Sequence, residues 1–324
     1  MTAKIRRRRK ARSHYANNEF LGLPREESTY SRAAAVILPL PFEESVSYGG
    51  GTALGPEAII DASKQVELYD AKLGVEAALA FGIHTLSPPE IMLQVTKPSA
   101  AKVLDAVAES AFLHCQAGKF VVGLGGEHTV SVGLARGAAK ARGAFTLVHL
   151  DAHADLRDSY KENPLSHACA IRRIAEIPEC EGIVQLGIRS TSVDQFEFAR
   201  ARRPKSGIRP YVKTHYADDM LESGDWEKDL VKRVKGREIY FTFDVDGLDP
   251  SIIPATGTPE PNGLAWRHLL KAAEIVASHA FMTVGMDCVE LAPQPDLHYA
   301  DFTAAKAVYA MLSRFVIGNR QLKG

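Results

Sequence analysis

The sequence predicts an α/β protein, a three-layer αβα sandwich with a central, mainly parallel β-sheet. Short apolar runs rich in β-branched residues alternate with longer, alanine-rich segments of helical type. Several of these runs are apolar throughout, as expected for parallel strands that are covered on both faces. No Pro/Gly/Ser-rich linker or internal repeat divides the 324 residues, which indicates one large domain.

Strands and helices alternate along the chain. The predicted strands are Ala33–Leu38, Phe120–Leu124, Phe145–Asp151, Ile183–Ile188, Ile239–Asp246 and Phe281–Val289. The clearest predicted helices are Ala100–Gln116, Val130–Arg142, Trp226–Val234, Trp266–His279 and Ala304–Val316.

The first twelve residues carry seven positive charges, although the whole chain is electrically neutral. Residues 1–20 are therefore predicted to be a basic, disordered arm, and residues 21–324 a single domain. A targeting signal and an RNA contact are the alternatives for the arm. It lacks the apolar stretch of a secretory signal. The remainder is mildly acidic, so no nucleic-acid partner is expected.

Two further features concern the compartment. No apolar run approaches the roughly 20 residues of a membrane span, so no membrane association is expected. The four cysteines form no CxxC pair. So few thiols in a chain of this length are typical of a reduced protein, and the predicted location is the cytoplasm.

Four predicted strands run into residues that can bind metals. In open parallel sheets, ligands bind beyond the carboxyl ends of the strands. Chemistry is therefore expected at this edge, in the segments 125–128, 151–155, 244–246 and 287–290.

The spacing within these segments indicates a cation site. Residues two apart on an extended strand point to the same side, which pairs Asp151 with His153 and Asp244 with Asp246. Two neighbouring buried acids repel each other unless a cation lies between them. The alternative, that these acids cap the following helices, needs one acid at each position and no histidine.

The candidate ligands are too many for one ion. Two divalent ions that share two bridging carboxylates fit the number, and a carboxylate-rich set with some imidazole suits Mn²⁺ better than structural zinc. Paired ions can activate a water at neutral pH, which predicts hydrolysis and two Mn²⁺ per subunit. The candidate ligands are His128, Asp151, His153, Asp155, Asp244 and Asp246.

Six segments, in this order along the chain, resemble the ureohydrolase family of arginases, agmatinases and their relatives. They are Gly125–Thr129, His149–Asp155, Ser166–Ala168, Phe243–Pro250, Thr256–Leu264 and Asp287–Pro293. The resemblance implies an arginase-like fold and a metal-dependent hydrolase that releases urea from a guanidino compound. It also implies a homo-hexamer or homo-trimer.

The resemblance assigns roles to individual ligands. His128 and Asp155 would belong to one manganese ion, and His153 and Asp246 to the other. The two bridging ligands would be Asp151 and Asp244.

It also supplies catalytic residues, namely His167, Glu290 and, besides its ligand role, Asp155. His167 matches the histidine that passes a proton to the leaving amine, a task that suits an imidazole near neutral pH. Its alternative is an ordinary histidine of a surface loop. Glu290 matches the carboxylate that pairs with the guanidinium, and its alternative is a solvated acid at a strand end.

The loop after Asp155 bears on the substrate. It lacks the asparagine of the arginases at this point and carries Arg157 and Asp158, as in the agmatinase branch. We expect Asp158 and Glu162 to attract a cationic tail, with Arg157 and Asn163 completing the substrate-binding set. This predicts the hydrolysis of agmatine to putrescine and urea. Aminopropylagmatine, guanidinobutyrate, free guanidine and arginine remain alternative substrates.

Two other classes compete with a ureohydrolase. A zinc amide deacetylase on a similar fold would lack the second pair of carboxylates. A non-catalytic binding protein would have no need of six ligands. One departure from the agmatinase branch is Asn262-Gly263, where that branch commonly has Gly-Gly. It touches no predicted metal ligand.

Overall fold

The computed structural model describes residues 19–94, 98–204 and 206–321. Residues 1–18, most of the predicted arm, lie outside this range. The last two residues assigned to the arm contact the body of the protein. Phe20 is buried and its backbone N–H donates to Thr85 Oγ1 (2.8 Å), and the Glu19 carboxylate accepts the Thr85 N–H (2.9 Å).

Eight of the described strands form one sheet in the order β4-β1-β5-β10-β9-β6-β7-β8, and every neighbouring pair is parallel. β2 and β3 form a separate antiparallel ribbon. The prediction of a parallel sheet is therefore confirmed. The strands are β1 Ala35–Leu40, β2 Tyr69–Asp70, β3 Val75–Glu76, β4 Ile83–Thr85, β5 Phe120–Gly125, β6 Phe145–Leu150, β7 Cys180–Ile188, β8 Tyr211–Tyr216, β9 Glu238–Asp244 and β10 Met282–Val289.

The α-helices of the described chain lie between these strands, except the last one, which follows β10. They are α1 Gly55–Ser63, α2 Ala77–Phe81, α3 Ala100–Gln116, α4 Val130–Arg142, α5 Ala170–Ile174, α6 Val193–Ala201, α7 Ala217–Glu222, α8 Asp225–Val234, α9 Trp266–His279 and α10 His298–Gln321. Within this part of the chain, no helix has the length and apolar character that crossing a membrane requires.

The sheet has a hydrophobic core on each face. Successive residues of β6 show this: Leu147 packs with the cluster under α3 and α4, whereas Val148 packs with the cluster under α1, α9 and α10. Because both faces are buried, β6 has no reason to alternate polar with apolar residues. The three predicted layers are thus confirmed.

The sequence missed the two edge strands, β4 and β8, and the end residues of the last helix. β4 has only three residues, and β8 contains Lys213, Thr214 and His215, which weaken the apolar signal. The predicted helix Ala304–Val316 is the well-buried centre of α10, which extends in both directions into more polar sequence.

Gly126 fixes the path of the chain beyond β5. A Cβ at this position would overlap the backbone carbonyl of Phe42, so only glycine lets the two segments approach each other. The backbone N–H of Gly126 donates to Leu40 O and that of Glu127 to Phe42 O. These contacts place Glu127 and His128 directly above the end of β1.

Candidate metal centre and substrate cavity

The four strands with predicted metal-binding ends lie side by side in the middle of the sheet, in the order β5-β10-β9-β6. A cavity of about 210 Å³ opens at their carboxyl ends. Its floor contains four residues of the predicted site, His153, Asp155, Asp244 and Asp246. The parallel topology thus brings together residues that are far apart in sequence.

His128 faces three carboxylates. Its Nδ1 atom lies 3.2 Å from Asp151 Oδ2, 3.3 Å from Asp155 Oδ2 and 3.4 Å from Asp244 Oδ2. The imidazole and all three acids are buried. This is the first of two groups of candidate ligands.

The second group surrounds His153. Its Nδ1 atom lies 2.9 Å from Asp246 Oδ2 and 3.7 Å from Asp151 Oδ1. Asp151 therefore directs Oδ2 towards the His128 group and Oδ1 towards the His153 group. A carboxylate between two groups of ligands is the arrangement that a bridging ligand requires.

The hydrogen bonds of His128 indicate what the first group holds. Thr242 Oγ1 donates to Asp287 Oδ1 (2.6 Å), so it accepts the Nε2–H of His128 at 2.9 Å. The Nδ1 lone pair then points at the carboxylates, and this buried atom has no hydrogen-bond partner in the described structure. A lone pair that faces three acids is repelled by them unless a proton or a metal cation lies between. Burial lowers the pKa of His128, but Asp151, Asp155 and Asp244 outweigh it and raise the value well above its usual range, which shows how strongly this position attracts positive charge. The residues therefore fit a divalent metal ion.

The electrostatics of the floor agree with this interpretation. Burial and the charges of Asp246 and Asp151 raise the pKa of Asp244 well above its usual range. Burial lowers the pKa of His153, but Asp246 and Asp151 outweigh it and raise the value to about 12. The cluster thus holds more negative charge than its own imidazoles neutralise, and bound cations would relieve the excess.

Behind the candidate ligands lie polar residues that were not predicted from the sequence. His149 Nε2 lies 2.7 Å from Asp151 Oδ2, and the Gln185 side-chain amide lies 3.2 Å from His149 Nδ1. Thr214 Oγ1 in turn donates to Gln185 Oε1 (2.9 Å). His149 could have been found, because it lies two residues before Asp151 on the same strand face. Gln185 and Thr214 lie on β7 and β8, and the sequence carried no signal for them.

Two of the functional residues have an unusual backbone. Asp155 has φ 50° and Glu290 φ 65°, in the left-handed region that side chains with a Cβ rarely adopt. Strain of this kind is often found where the fold must direct a side chain into a site. Both residues line the cavity.

Glu290 lies at the cavity wall, with 8% of its surface exposed. Its Oε1 atom accepts the backbone N–H of His128 at 2.7 Å, which leaves Oε2 available to a ligand. Burial and the nearby charge of Glu127 raise the pKa of Glu290 well above its usual range. A cationic guanidinium in the cavity would favour the ionised carboxylate.

His167 begins a short 3-10 helix, His167–Cys169, and also lines the cavity. Its Nδ1 atom lies 3.1 Å from Ser45 Oγ. The ring of Tyr160 packs edge-on against it, with 6.4 Å between the ring centroids. The half-buried imidazole thus reaches both the cavity and the segment that follows β1.

The structure separates the predicted substrate-tail residues. Arg157 lines the cavity, whereas Asp158, Glu162 and Asn163 are not on its wall. Asp158 is 75% exposed and accepts from Arg173 Nη2 at 2.7 Å. The Asn163 side chain accepts the Leu165 N–H within its own loop, and Glu162 is exposed. The expected attraction between these acids and a cationic tail is therefore not supported by their positions.

Two further loops contribute to the rim, and the resemblance had already implied an entrance loop at Gly49–Gly51 and a place beside the pocket for the loop at Thr256. The segment after β1 contributes Val46, Ser47 and Gly49, and the loop after β9 contributes Gly257 and Thr258. The two meet where the Gly49 N–H donates to Gly257 O (3.1 Å).

Asn262, the departure noted in the sequence, has φ 61°. Glycine and asparagine are the residues that best tolerate this conformation, which explains the exchange.

Comparison with known proteins gives a consistent result. The Arginase family model matches residues 33–313. An N(1)-aminopropylagmatine ureohydrolase of Thermus thermophilus is 36% identical over 284 residues, which cover 88% of this chain and 91% of the relative. An agmatinase of Bacillus anthracis is 34% identical over 291 residues, with coverages of 89% and 94%.

Solved structures agree as well. The agmatine ureohydrolase of Thermoplasma volcanium superposes with a TM-score of 0.75 and 28% identity, over 96% of this chain and 97% of that one. Three findings agree on the family. They are the fold, the candidate ligands at one edge of the sheet, and the family match over most of the chain. The chain belongs to the arginase family.

Proposed function

We propose that this hydrolase of guanidino compounds uses two manganese ions to release urea from agmatine or its longer analogue aminopropylagmatine. One observation carries the proposal. Two groups of candidate ligands share the buried Asp151, and members of both groups line the floor of a cavity whose wall presents the Glu290 carboxylate. A divalent pair and a guanidinium would fill this cavity with complementary charge.

The manganese ions would be held by the His128 and His153 groups, with Asp151 between them. When bound, such a pair supplies an activated water for hydrolysis. Carboxylate-rich sites with imidazole favour a hard ion such as Mn²⁺.

Glu290 binds and orients the substrate. A planar guanidinium can donate two parallel hydrogen bonds to a carboxylate. The backbone N–H of His128 fixes Glu290 Oε1, so a guanidinium bound to this carboxylate would take a set position on the cavity wall. This converts the attack of water into a reaction between positioned partners.

His167 supplies the proton that the leaving amine takes up. Hydrolysis adds the water oxygen to the guanidinium carbon and breaks the bond to the substituted nitrogen, which yields urea and an amine. The leaving nitrogen must take up a proton, and His167 lies on the wall with one ring nitrogen already engaged by Ser45. The other nitrogen, Nε2, is free to carry the proton.

The named relatives support a cationic tail, since agmatinase and aminopropylagmatine ureohydrolase both take amine-bearing substrates by name. On the wall away from the floor, such a tail would meet hydroxyl and aromatic groups, those of Ser47, Thr258 and Tyr160. A tyrosine face can bind an ammonium group.

A guanidino acid is the second candidate, and Arg157 favours it. Among the described residues of the wall outside the floor and Glu290, Arg157 and His167 are the ionisable cationic groups. The guanidinium of Arg157 is 4.0 Å from Asp194, a loose and exposed ion pair. It could instead bind a substrate carboxylate in two-pronged fashion.

Urea release from a panel of guanidines tests both candidates. Agmatine, aminopropylagmatine, guanidinobutyrate, free guanidine and arginine would be compared with manganese present. The proposal predicts the highest kcat/KM for one of the two amines. A preference for guanidinobutyrate that Arg157→Gln abolishes would establish the second candidate, and no urea from any of the five would contradict both.

The assembly and location are also proposals. We propose a homo-hexamer or homo-trimer, as the family resemblance implies. The half-exposed Tyr299 and Phe302 at the start of α10 offer apolar surface for such contacts. Light scattering at micromolar concentration would test the assembly, and a monomer would contradict it. All four cysteines are free and buried, which supports the reducing cytoplasm.

A further inference from the structure

We propose that Ser45 is a positioning residue that holds the proton-carrying His167 in one tautomer, anchored by the buried Glu127. The inference rests on the proposed function, in which His167 protonates the leaving amine. Its starting point is the hydroxyl of Ser45, which contacts His167 twice. Ser45 Oγ accepts the His167 backbone N–H at 2.9 Å and lies 3.1 Å from Nδ1 of the ring.

The third contact of this hydroxyl decides the direction of the hydrogen bonds. Ser45 Oγ lies 3.0 Å from Glu127 Oε1. A hydroxyl has one proton and two lone pairs, and one lone pair already takes the His167 backbone N–H. The proton goes either to the Glu127 carboxylate or to His167 Nδ1, and a hydrogen bond to an anionic oxygen is the stronger.

Glu127 is built as an acceptor. It is fully buried, and its Oε2 atom accepts the backbone N–H groups of Glu44 (2.8 Å) and Ser45 (2.7 Å). Its Oε1 atom accepts the hydroxyl of Thr129 (2.7 Å) in addition to that of Ser45. These four donors hold the carboxylate and the Ser45 segment in place.

The tautomer of His167 follows. Because the Ser45 hydroxyl donates its hydrogen bond to Glu127, Ser45 Oγ can only accept a hydrogen bond from the imidazole ring. Neutral His167 therefore carries its hydrogen on Nδ1. The lone pair is then on Nε2, the atom that must gain and release the proton. If Ser45 were lost, Nδ1 and Nε2 would compete for the hydrogen. The weaker contact of Nδ1 with Ser166 Oγ, at 3.5 Å, would be the remaining restraint.

Kinetics of Ser45→Ala test the role. We expect kcat for urea release to fall about tenfold with KM changed less than about threefold, which is below the loss of about 10²-fold typical of removing the acid–base group itself. Ser45→Thr, which keeps the hydroxyl, should restore kcat. In a His167→Ala background, Ser45→Ala should change kcat less than twofold, because there is no ring to position.

The matched control is Ser251→Ala. Ser251 Oγ also donates to a carboxylate, Asp249 Oδ1 at 2.6 Å, in an exposed turn away from the cavity. It should leave kcat unchanged. A Ser45→Ala variant that melts earlier but keeps the wild-type kcat would overturn the proposal, and so would equal losses for Ser45→Ala with and without His167.

A second measurement does not depend on turnover. The full-length chain would be labelled with ¹⁵N-histidine and examined by NMR without added metal. The signal that His167→Gln removes identifies His167. It should show His167 protonated on Nδ1. Ser45→Ala should lose this preference. Protonation on Nε2 in the wild type would overturn the proposal even if the protein is active. If no guanidine is hydrolysed, the proposed function fails, and the NMR result still decides the role of Ser45.

Discussion

The floor and the rim of the cavity are built on different principles. The floor consists of buried side chains at the ends of β5, β6 and β9, where the backbone is fixed by the central strands of the sheet. The rim consists of loops, and charged residues next to it, outside the cavity wall, form exposed ion pairs such as that between Asp158 and Arg173. The floor gathers like charges that repel one another, whereas the charged residues next to the rim neutralise one another.

This difference separates chemistry from selectivity. The floor is costly to the metal-free protein, and its residues are explained by the ions that they would hold. The charged residues next to the rim, such as Asp158, Arg172 and Arg173, are paired with each other, so they are free to vary without altering the reaction.

The largest effect is expected from a change to the floor. Asp244→Ala removes a carboxylate that faces His128 at 3.4 Å, and kcat/KM should fall by more than about 10³-fold. Loss of a residue that only supports a metal ligand typically lowers metal affinity or activity 10- to 100-fold, and Asp244 is itself a candidate ligand. Manganese content, measured by elemental analysis, should fall with it. Full metal content together with full activity would refute the floor as the metal site.

His167 joins the two regions, because it lies on a rim loop but serves the reaction. His167→Ala should lower kcat about 10²-fold, leave the metal content unchanged and flatten the dependence of rate on pH near neutrality. The measurement is a pH–rate profile for both proteins. An unchanged kcat would make His167 a bystander.

The loss of stability that the buried carboxylates of the floor cause can be measured on the metal-free protein. The pKa of Asp244 is raised in the fold, by burial first and then by Asp246 and Asp151. Its contribution to stability is therefore complete below the unfolded pKa of about 3.8 and is lost as pH rises through the folded pKa. Asp244→Asn removes this loss. After chelation, its melting temperature at pH 7.5 should exceed that of the wild type by about 2 °C or more.

Asp249→Asn is the control with the opposite sign. Burial raises the pKa of Asp249, but hydrogen bonds from Ser251 and Gly263 outweigh it and lower the value below the usual range. The contribution of Asp249 to the stability of the protein is present above its unfolded pKa and is lost in acid. Asp249→Asn should therefore have a lower melting temperature than the wild type at pH 7.5. If both variants shift in the same direction, the charge argument for the floor is wrong.

The smallest effect is expected next to the rim. Asp158→Asn should change kcat/KM for agmatine less than about twofold, because Asp158 is exposed and bound by Arg172 and Arg173. The test is steady-state kinetics in low salt, where surface charges act most strongly. A tenfold loss would restore the sequence-based expectation that this acid attracts the substrate tail.

The sequence alone was sufficient for the layers and the floor. Apolar runs such as β6 identify buried parallel strands, and their carboxyl ends must meet at one edge. Asp151 and His153 could therefore be predicted to lie together from their spacing. The candidate ligands on other strands could be placed with them because their strands end at the same edge. Helices α3, α4 and α9 were predicted with the observed bounds, because their apolar periodicity continues to their ends.

Only the tertiary structure decided which loop residues face the cavity. A loop has no fixed side-chain period, so Arg157 and Asp158 were equal candidates in the sequence, although one lines the wall and the other pairs with α5. The same holds for Ser45, Gln185 and Thr214, whose roles come from contacts between segments far apart in the chain. The direction of a side chain at a strand end is set by the geometry of the sheet. The direction of a loop side chain depends on the neighbours that it contacts in the folded protein.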